Sequence, residues 1–176
     1  MHSTSKITTV FAALVFTLVG ASAWAAPESG DRTLTLSGTG SSDNDFDTNN
    51  FGMTGELGWF LNDSLETGVR QSVNVIARDD AADDWSGGTR IFANWHFGGR
   101  NAFQPFVGLS GGGFYGEHVK DTFAAGPELG MKYYVKDKTF IELQVEYQFL
   151  FEDADEIDDR FDDGAFFYTL GIGYNF

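Results

Sequence analysis

The sequence predicts an all-β chain, folded as an eight-stranded antiparallel up-and-down transmembrane β-barrel. Three observations carry that prediction. Segment after segment alternates apolar and polar side chains with a period of two, as strands do when their two faces meet different surroundings. The connections between those segments alternate long and short. The polar face is rich in glycine and close to balanced in charge, although the chain as a whole carries a formal charge of -15.

The strands follow in order. DRTLTLSG opens the set. In NFGMTGELGWF, Phe51, Met53, Leu57 and Trp59 share a face; in SLETGVRQSVNVIA the shared set is Leu65, Val69, Val73, Val75 and Ala77. TRIFANWHF gives Ile91, Ala93, Trp95 and Phe97, and FQPFVGLSGGGFY forms a fifth strand. GPELGMKYYV gives Leu129, Met131, Tyr133 and Val135. TFIELQVEYQFLF sets Ile141, Leu143, Val145, Tyr147, Phe149 and Phe151 against Glu142, Gln144, Glu146 and Gln148. GAFFYTLGIGYNF ends the chain with Phe166, Tyr168, Leu170, Ile172, Tyr174 and Phe176 on one parity.

LNDS, GGRNA and VKDK are short, turn-like connections. SSDNDFDTNN, DDAADDWSG, GEHVKDTFAA and EDADEIDDRFDDG read as long and mostly acidic ones. Their order puts all long loops at one end and the short turns, with both termini, at the other. An eight-stranded meander has that arrangement.

The first 25 residues are expected to be a signal peptide, leaving residues 26–176 as one barrel domain. MHSTSK carries Lys6, ITTVFAALVFTLV is an apolar run, and Ala23-Trp24-Ala25 is a small-x-small cleavage site. An exported chain of 176 residues with no cysteine must hold its fold without disulfides. Cleavage removes Lys6 and no acid, so the mature chain is more acidic still, which excludes nucleic acid as a partner.

A soluble sandwich would show the same alternation, its apolar face being a core. Four features point to lipid instead. Strands of about 10 residues or more suit a tilted crossing of the hydrocarbon layer. Trp59, Trp95, Phe97, Tyr133, Tyr147, Tyr168 and Tyr174 lie near the ends of the apolar face, where amphipathic rings favour the membrane interfaces. Gly52, Gly58, Gly68, Gly130, Gly171 and Gly173 recur on the polar face, where a narrow lumen needs small residues opposite large ones. That face also sets Glu56, Glu66, Glu128, Glu142 and Glu146 against Arg70, Arg78, Arg90 and Lys132, with Lys136 near the short-turn end. A confined lumen needs its buried charges paired.

Eight strands leave an interior just wide enough for side chains to fill. The expected lumen is therefore a plug of Glu pairs with Arg and Lys, filled in by Gln144, Gln148, Asn74, Asn94 and His96. The last strand is expected to face lipid and pair with the first, leaving no edge. Gln71 and Thr67 fall on the lipid parity of their strand and resist this reading. In the fifth strand Val107, Leu109 and Tyr115 are assigned outward, and Pro105 and Pro127 are placed close to strand ends.

GELGWFLNDSLETGVRQSV, PFVGLSGGG, GPELGMKYYVKDKTFIELQVEYQF and the ending LGIGYNF together resemble the small eight-stranded outer-membrane barrels of Gram-negative bacteria, of the OmpA transmembrane domain and OmpX type. The resemblance covers nearly all of the mature chain and implies residence in the cell outer membrane as a multi-pass protein. It implies that Tyr168, Ile172, Tyr174 and Phe176 form the signal read by the barrel-assembly machinery, with periplasmic chaperones as earlier partners. It does not imply a cell-wall tether, since nothing here resembles a peptidoglycan-binding domain.

No catalytic constellation is expected, and no cofactor. His118 beside Glu117 and Asp121 could be a fragment of a lipid-modifying site, but that loop has no serine, and a solvated loop histidine is the simpler reading. Asp43, Asp45 and Asp47 alternate like the opening of a calcium loop, yet Thr48 stands where glycine is required. In the last loop Asp153, Asp155, Asp158, Asp159, Asp162 and Asp163, with Glu152 and Glu156, form either a solvated face or a site sharing divalent cations with lipopolysaccharide. The sequence thus points to a monomeric, non-enzymatic outer-membrane barrel. It would contact membrane lipids and lipopolysaccharide, support envelope integrity and present acidic loops; a narrow passive channel and a loop-mediated adhesin or receptor are the alternatives.

Overall fold

A computed structural model describes residues 27–43, 49–76, 84–99, 101–116, 119–151 and 164–176 of the chain. The eight strands are β1 (Arg32–Asp43), β2 (Asn49–Phe60), β3 (Leu65–Ile76), β4 (Asp84–His96), β5 (Phe103–Gly116), β6 (Val119–Lys136), β7 (Thr139–Phe151) and β8 (Gly164–Asn175). Each pairs antiparallel with the next, and β8 returns to β1 to close a barrel. At that seam Leu36 lies opposite Ile172 and Thr39 opposite Thr169. Closure leaves no row of unpaired backbone groups, each of which would cost several kcal/mol in hydrocarbon.

Side chains sort by parity as the alternation requires. Ile91, Leu109 and Ile172 are 66%, 66% and 65% exposed on the outside, whereas Arg70, Lys132 and Glu142 are each 1% exposed within. This inverts the usual distribution, in which fully buried charged residues are rare and exposed apolar patches are small. The outer surface is built for an apolar solvent. Val107, Leu109 and Tyr115 point outward as expected, and Phe106 and Phe114 face inward.

Four expectations are corrected. GEHVKDTFAA is mostly strand: Gly113 pairs with Phe123, Phe114 with Thr122 and Gly116 with Val119, leaving only 117–118 between β5 and β6. Small residues at Ala124, Ala125 and Gly126 hid an alternation that continues through them. Strand pairing also reaches into two other segments read as loops, at Ser41, Ser42, Asn49 and Asn50 and at Asp84 to Gly87. A ladder satisfies its backbone whatever side chains it carries, so outside hydrocarbon polarity does not mark where it stops.

Pro127, placed near a strand end, lies in the interior of β6. The paired register with β7 passes from Ala125–Phe149 to Glu128–Glu146 without a bridge at Gly126 or Pro127, which accommodates the missing proline donor. At the opposite rim, Asn62 Oδ1 accepts from the backbone N–H groups of Ser64 and Leu65, both at 2.9 Å, and fixes the β2–β3 turn.

Candidate functional site

Inward parity brings the charged side chains of β2, β3, β4, β6 and β7 into one lumen. At the short-turn end an aromatic floor closes it. Phe60 and Phe106 flank the His96 ring with centroids 5.2 and 5.1 Å away, and Tyr134 lies 5.3 Å from Phe140. The segment before β1 ties this end down. Gly30 N donates to Phe60 O at 2.8 Å, Ser29 N to Asp63 Oδ1 at 3.1 Å, and Asn175 Nδ2 to Asp31 Oδ2 at 2.9 Å.

Above the floor sits Lys132. Its Nζ lies 2.7 Å from both Glu66 oxygens, 3.5 Å from Glu142 Oε2 and 4.0 Å from Glu56 Oε1. Glu66 also bonds to His96 Nε2 at 2.9 Å and accepts from Thr33 Oγ1 at 2.6 Å. The ammonium packs 4.8 Å from the Phe140 ring centroid, so the aromatic floor and the first ionic layer share it.

The next layer spans the barrel. Arg70 Nε donates to Glu56 at 2.7 Å, while Nη1 and Nη2 reach the two oxygens of Glu128 at 2.9 and 3.3 Å. Arg90 Nη1 donates to Glu146, which also accepts from Ser110 and Gln148. Arg70 and Arg90 are direct cross-strand neighbours, and so are Glu128 and Glu146. Like charges side by side destabilise an open sheet. Here each like-charged pair faces the opposite sign across the lumen, an arrangement only closure allows.

Glycines make the room. A Cβ on Gly68 would strike the Phe92 ring, one on Gly130 the Phe106 ring and one on Gly173 the Phe140 ring. Arg70 lies over Phe92 at 4.5 Å, and Arg90 approaches the stacked Phe114 and Phe167 rings at 5.6 and 5.3 Å. The lumen is filled by cations held between carboxylates and aromatic faces.

The structure thus brings Glu56, Glu66, Arg70, Arg90, Glu128, Lys132, Glu142 and Glu146 together, with Asn94, His96, Gln144 and Gln148 buried beside them. Arg78 lies outside the described residues, as do His118, Glu117 and the acidic positions Asp153, Asp155, Asp158, Asp159, Asp162 and Asp163. Tyr168, Ile172, Tyr174 and Phe176 line the outer face of the last strand. The inward aromatics Phe60, Phe92, Phe140 and Tyr134 were missed as plug residues, although each shares parity with a neighbouring lumenal charge. The two discordant polar residues are satisfied locally. Thr67 Oγ1 donates to Phe92 O at 2.8 Å, and Gln71 bonds Tyr115 OH and Thr89 Oγ1, both at 2.7 Å.

Among the described residues no three His, Asp or Glu side chains are arranged to hold a metal. The one described lumenal histidine is engaged by Glu66 and two phenyl rings. Among the described residues the lumenal carboxylates are held in charge pairs with Arg70, Arg90 and Lys132.

No protein-family model matches the chain, and no curated sequence does. Solved structures do resemble it. Neisserial surface protein A aligns with a TM-score of 0.61 at 13% identity, over 83% of this chain and 96% of that one. The outer membrane protein OprG from Pseudomonas aeruginosa aligns at 0.61 and 13%, over 87% and 99%. A transmembrane β-barrel designed de novo aligns at 0.52 and 11%, over 86% and 99%. At such identities the likeness is one of fold, and the designed barrel illustrates how little the fold alone says about activity. The chain has the fold of the small eight-stranded transmembrane β-barrels of the outer membrane, apolar outside and filled with paired charge within.

Proposed function

We propose that the protein is a non-enzymatic integral barrel of the outer membrane that supports envelope integrity and carries its acidic loops on the cell surface. The observation behind this reading is the lumen itself. The aromatic floor and the two ionic layers above it occupy the axis with side chains from β2, β3, β4, β6 and β7. A passive channel would have to break charge pairs that are each nearly free of solvent. Function is therefore assigned to the surfaces: the apolar belt toward lipid and lipopolysaccharide, the loops toward the exterior, and the terminal strand toward the assembly machinery during biogenesis.

The test is conductance of the refolded barrel in planar bilayers. Silence at high protein loading is expected, together with increased permeability to large antibiotics in cells that lack the protein. Current steps altered by Glu146→Gln or Arg70→Ala would replace this reading with that of a channel.

A further inference from the structure

Three outward side chains do not suit the apolar belt. Gln71 of β3 and Thr89 of β4 are exposed cross-strand neighbours, and Tyr115 of β5 joins them. The Gln71 amide donates to Tyr115 OH at 2.7 Å, Thr89 Oγ1 donates to Gln71 Oε1 at 2.7 Å, and the two hydroxyls lie 3.2 Å apart. Their depth follows from β4. Trp85 and Trp95 face outward near its two ends, where indole rings mark the membrane interfaces, and Thr89 lies between them. The trio therefore sits within the hydrocarbon layer, where polar groups are costly. Glycine brings the phenol there. A Cβ on Gly87 would strike the Tyr115 ring, so its absence lets the ring lie across β4 and the hydroxyl reach β3.

Beside the trio the outer wall carries a furrow of about 490 Å³, whose lining includes Thr89, Ile91, Ala93, Leu109, Gly111 and Phe123. Ile91 lies opposite Gly111 and Ala93 opposite Leu109, so the two small residues form a diagonal floor between two ridges that are each 66% exposed. Gly113 stands opposite Thr89, and a Cβ there would meet nothing within 4 Å. The furrow thus opens directly onto the trio. Its size falls within the range of small-molecule sites.

We propose that this furrow seats one membrane lipid with a hydroxylated acyl chain. The chain lies across Ala93 and Gly111 between Ile91 and Leu109, and its hydroxyl meets the trio. The chemistry follows from the groups that face it. Within the trio the Tyr115 proton has only the 3.2 Å contact to Thr89 as an acceptor, and Gln71 Oε1 keeps a second lone pair. A chain hydroxyl can accept from the one and donate to the other. The occupant is a lipid because the furrow is continuous with the apolar belt that already faces lipid. A second barrel, convex and rigid, would meet the ridges before the floor. The proposal rests on the reading that function lies on the outer surfaces, and gives the lipid-facing belt one selective site.

The test is lipid competition. The full mature chain is refolded in detergent with phosphatidylcholines of one chain length, unsubstituted or bearing a hydroxyl at successive positions of the chain, and the lipid it retains is weighed by native mass spectrometry. For at least one position the hydroxylated lipid should be retained about fivefold over the plain one, the worth of one net hydrogen bond. Gln71→Leu should abolish that preference. Ala93→Leu, which fills the floor, should abolish it by excluding the chain. Both substitutions add apolar surface to the belt and leave the lumen untouched, so folding is preserved. Equal retention of plain and hydroxylated lipids by the wild-type barrel at every position would overturn the proposal. So would a preference that survives either substitution, or a dimer that Ala93→Leu abolishes, which would give the furrow to a second copy of the chain. Lipid preference bears on the furrow and conductance on the plug, so the two readings fail separately.

Discussion

Arg70 on β3 and Glu128 on β6 meet across the lumen through two guanidinium nitrogens, at 2.9 and 3.3 Å, although each stands beside a like charge on the next strand, Arg90 and Glu146 respectively. The pairing joins opposite walls and is tied to closure of the barrel. Arg70→Ala leaves Glu56 and Glu128 buried without their cation, and a loss of about 3–5 kcal/mol is expected. Arg70→Met combined with Glu128→Gln, which removes charge from both walls, should recover part of it. Urea titration of the barrel folded in lipid vesicles measures both; equal stability of wild type and Arg70→Ala would mean the network contributes nothing.

The glycine at 173 is a packing device. A Cβ there meets first the Phe140 ring and then Thr35 Oγ1, all side-chain atoms rather than backbone. Gly173→Ala should therefore cost about 1–3 kcal/mol through overpacking, and Phe140→Leu in the same chain should restore part of the loss. The same titrations decide it, and a lack of rescue would place the strain in the backbone.

Adjacent residues on β7 should respond to very different degrees. Val145 is 38% exposed on the outer face, so Val145→Arg is expected to cost about 2–4 kcal/mol in bilayers. Gln144 is buried in the lumen with both amide atoms lacking a protein partner, so Gln144→Met should cost less than about 1 kcal/mol. Comparable penalties would contradict the assigned parity.

Phe176 ties its backbone to Arg32, with N to O distances of 2.8 and 3.0 Å, while its side chain points outward. Phe176→Ala keeps those bonds and leaves the lumen untouched. The variant should refold in detergent with nearly the wild-type yield yet reach the outer membrane in reduced amount. Equal amounts of wild type and variant in the membrane fraction would remove the terminal ring from the assembly signal.

Parity made most of this legible in the sequence. Once Leu143 and Val145 are placed outward, Glu142, Gln144 and Glu146 must be inward, and the eight described members of the expected charge set all lie in the lumen. Which cation meets which carboxylate was not legible, because Arg70 and Glu128 become neighbours only when separate strands close into a ring. The extent of the β5–β6 hairpin was hidden too, since alanine and glycine at 124–126 suit either face and charges beyond the apolar belt do not interrupt a ladder. The inward aromatics went unassigned for a different reason. Phe92 and Phe140 look like lipid-facing residues by composition, and only their parity with Arg90 and Glu142 marks them as packing over glycine.

The central claim is that the apolar rows face acyl chains while the charges neutralise one another inside. Trp59, Trp85 and Trp95 all lie on the outer face, 38%, 44% and 47% exposed, and they are the tryptophans of the described barrel. Their fluorescence in vesicles containing lipids brominated along the acyl chain is the most direct measurement. Strong quenching by the brominated lipids with little quenching by aqueous iodide is the predicted result. Efficient iodide quenching, with emission indifferent to bromine, would contradict the account.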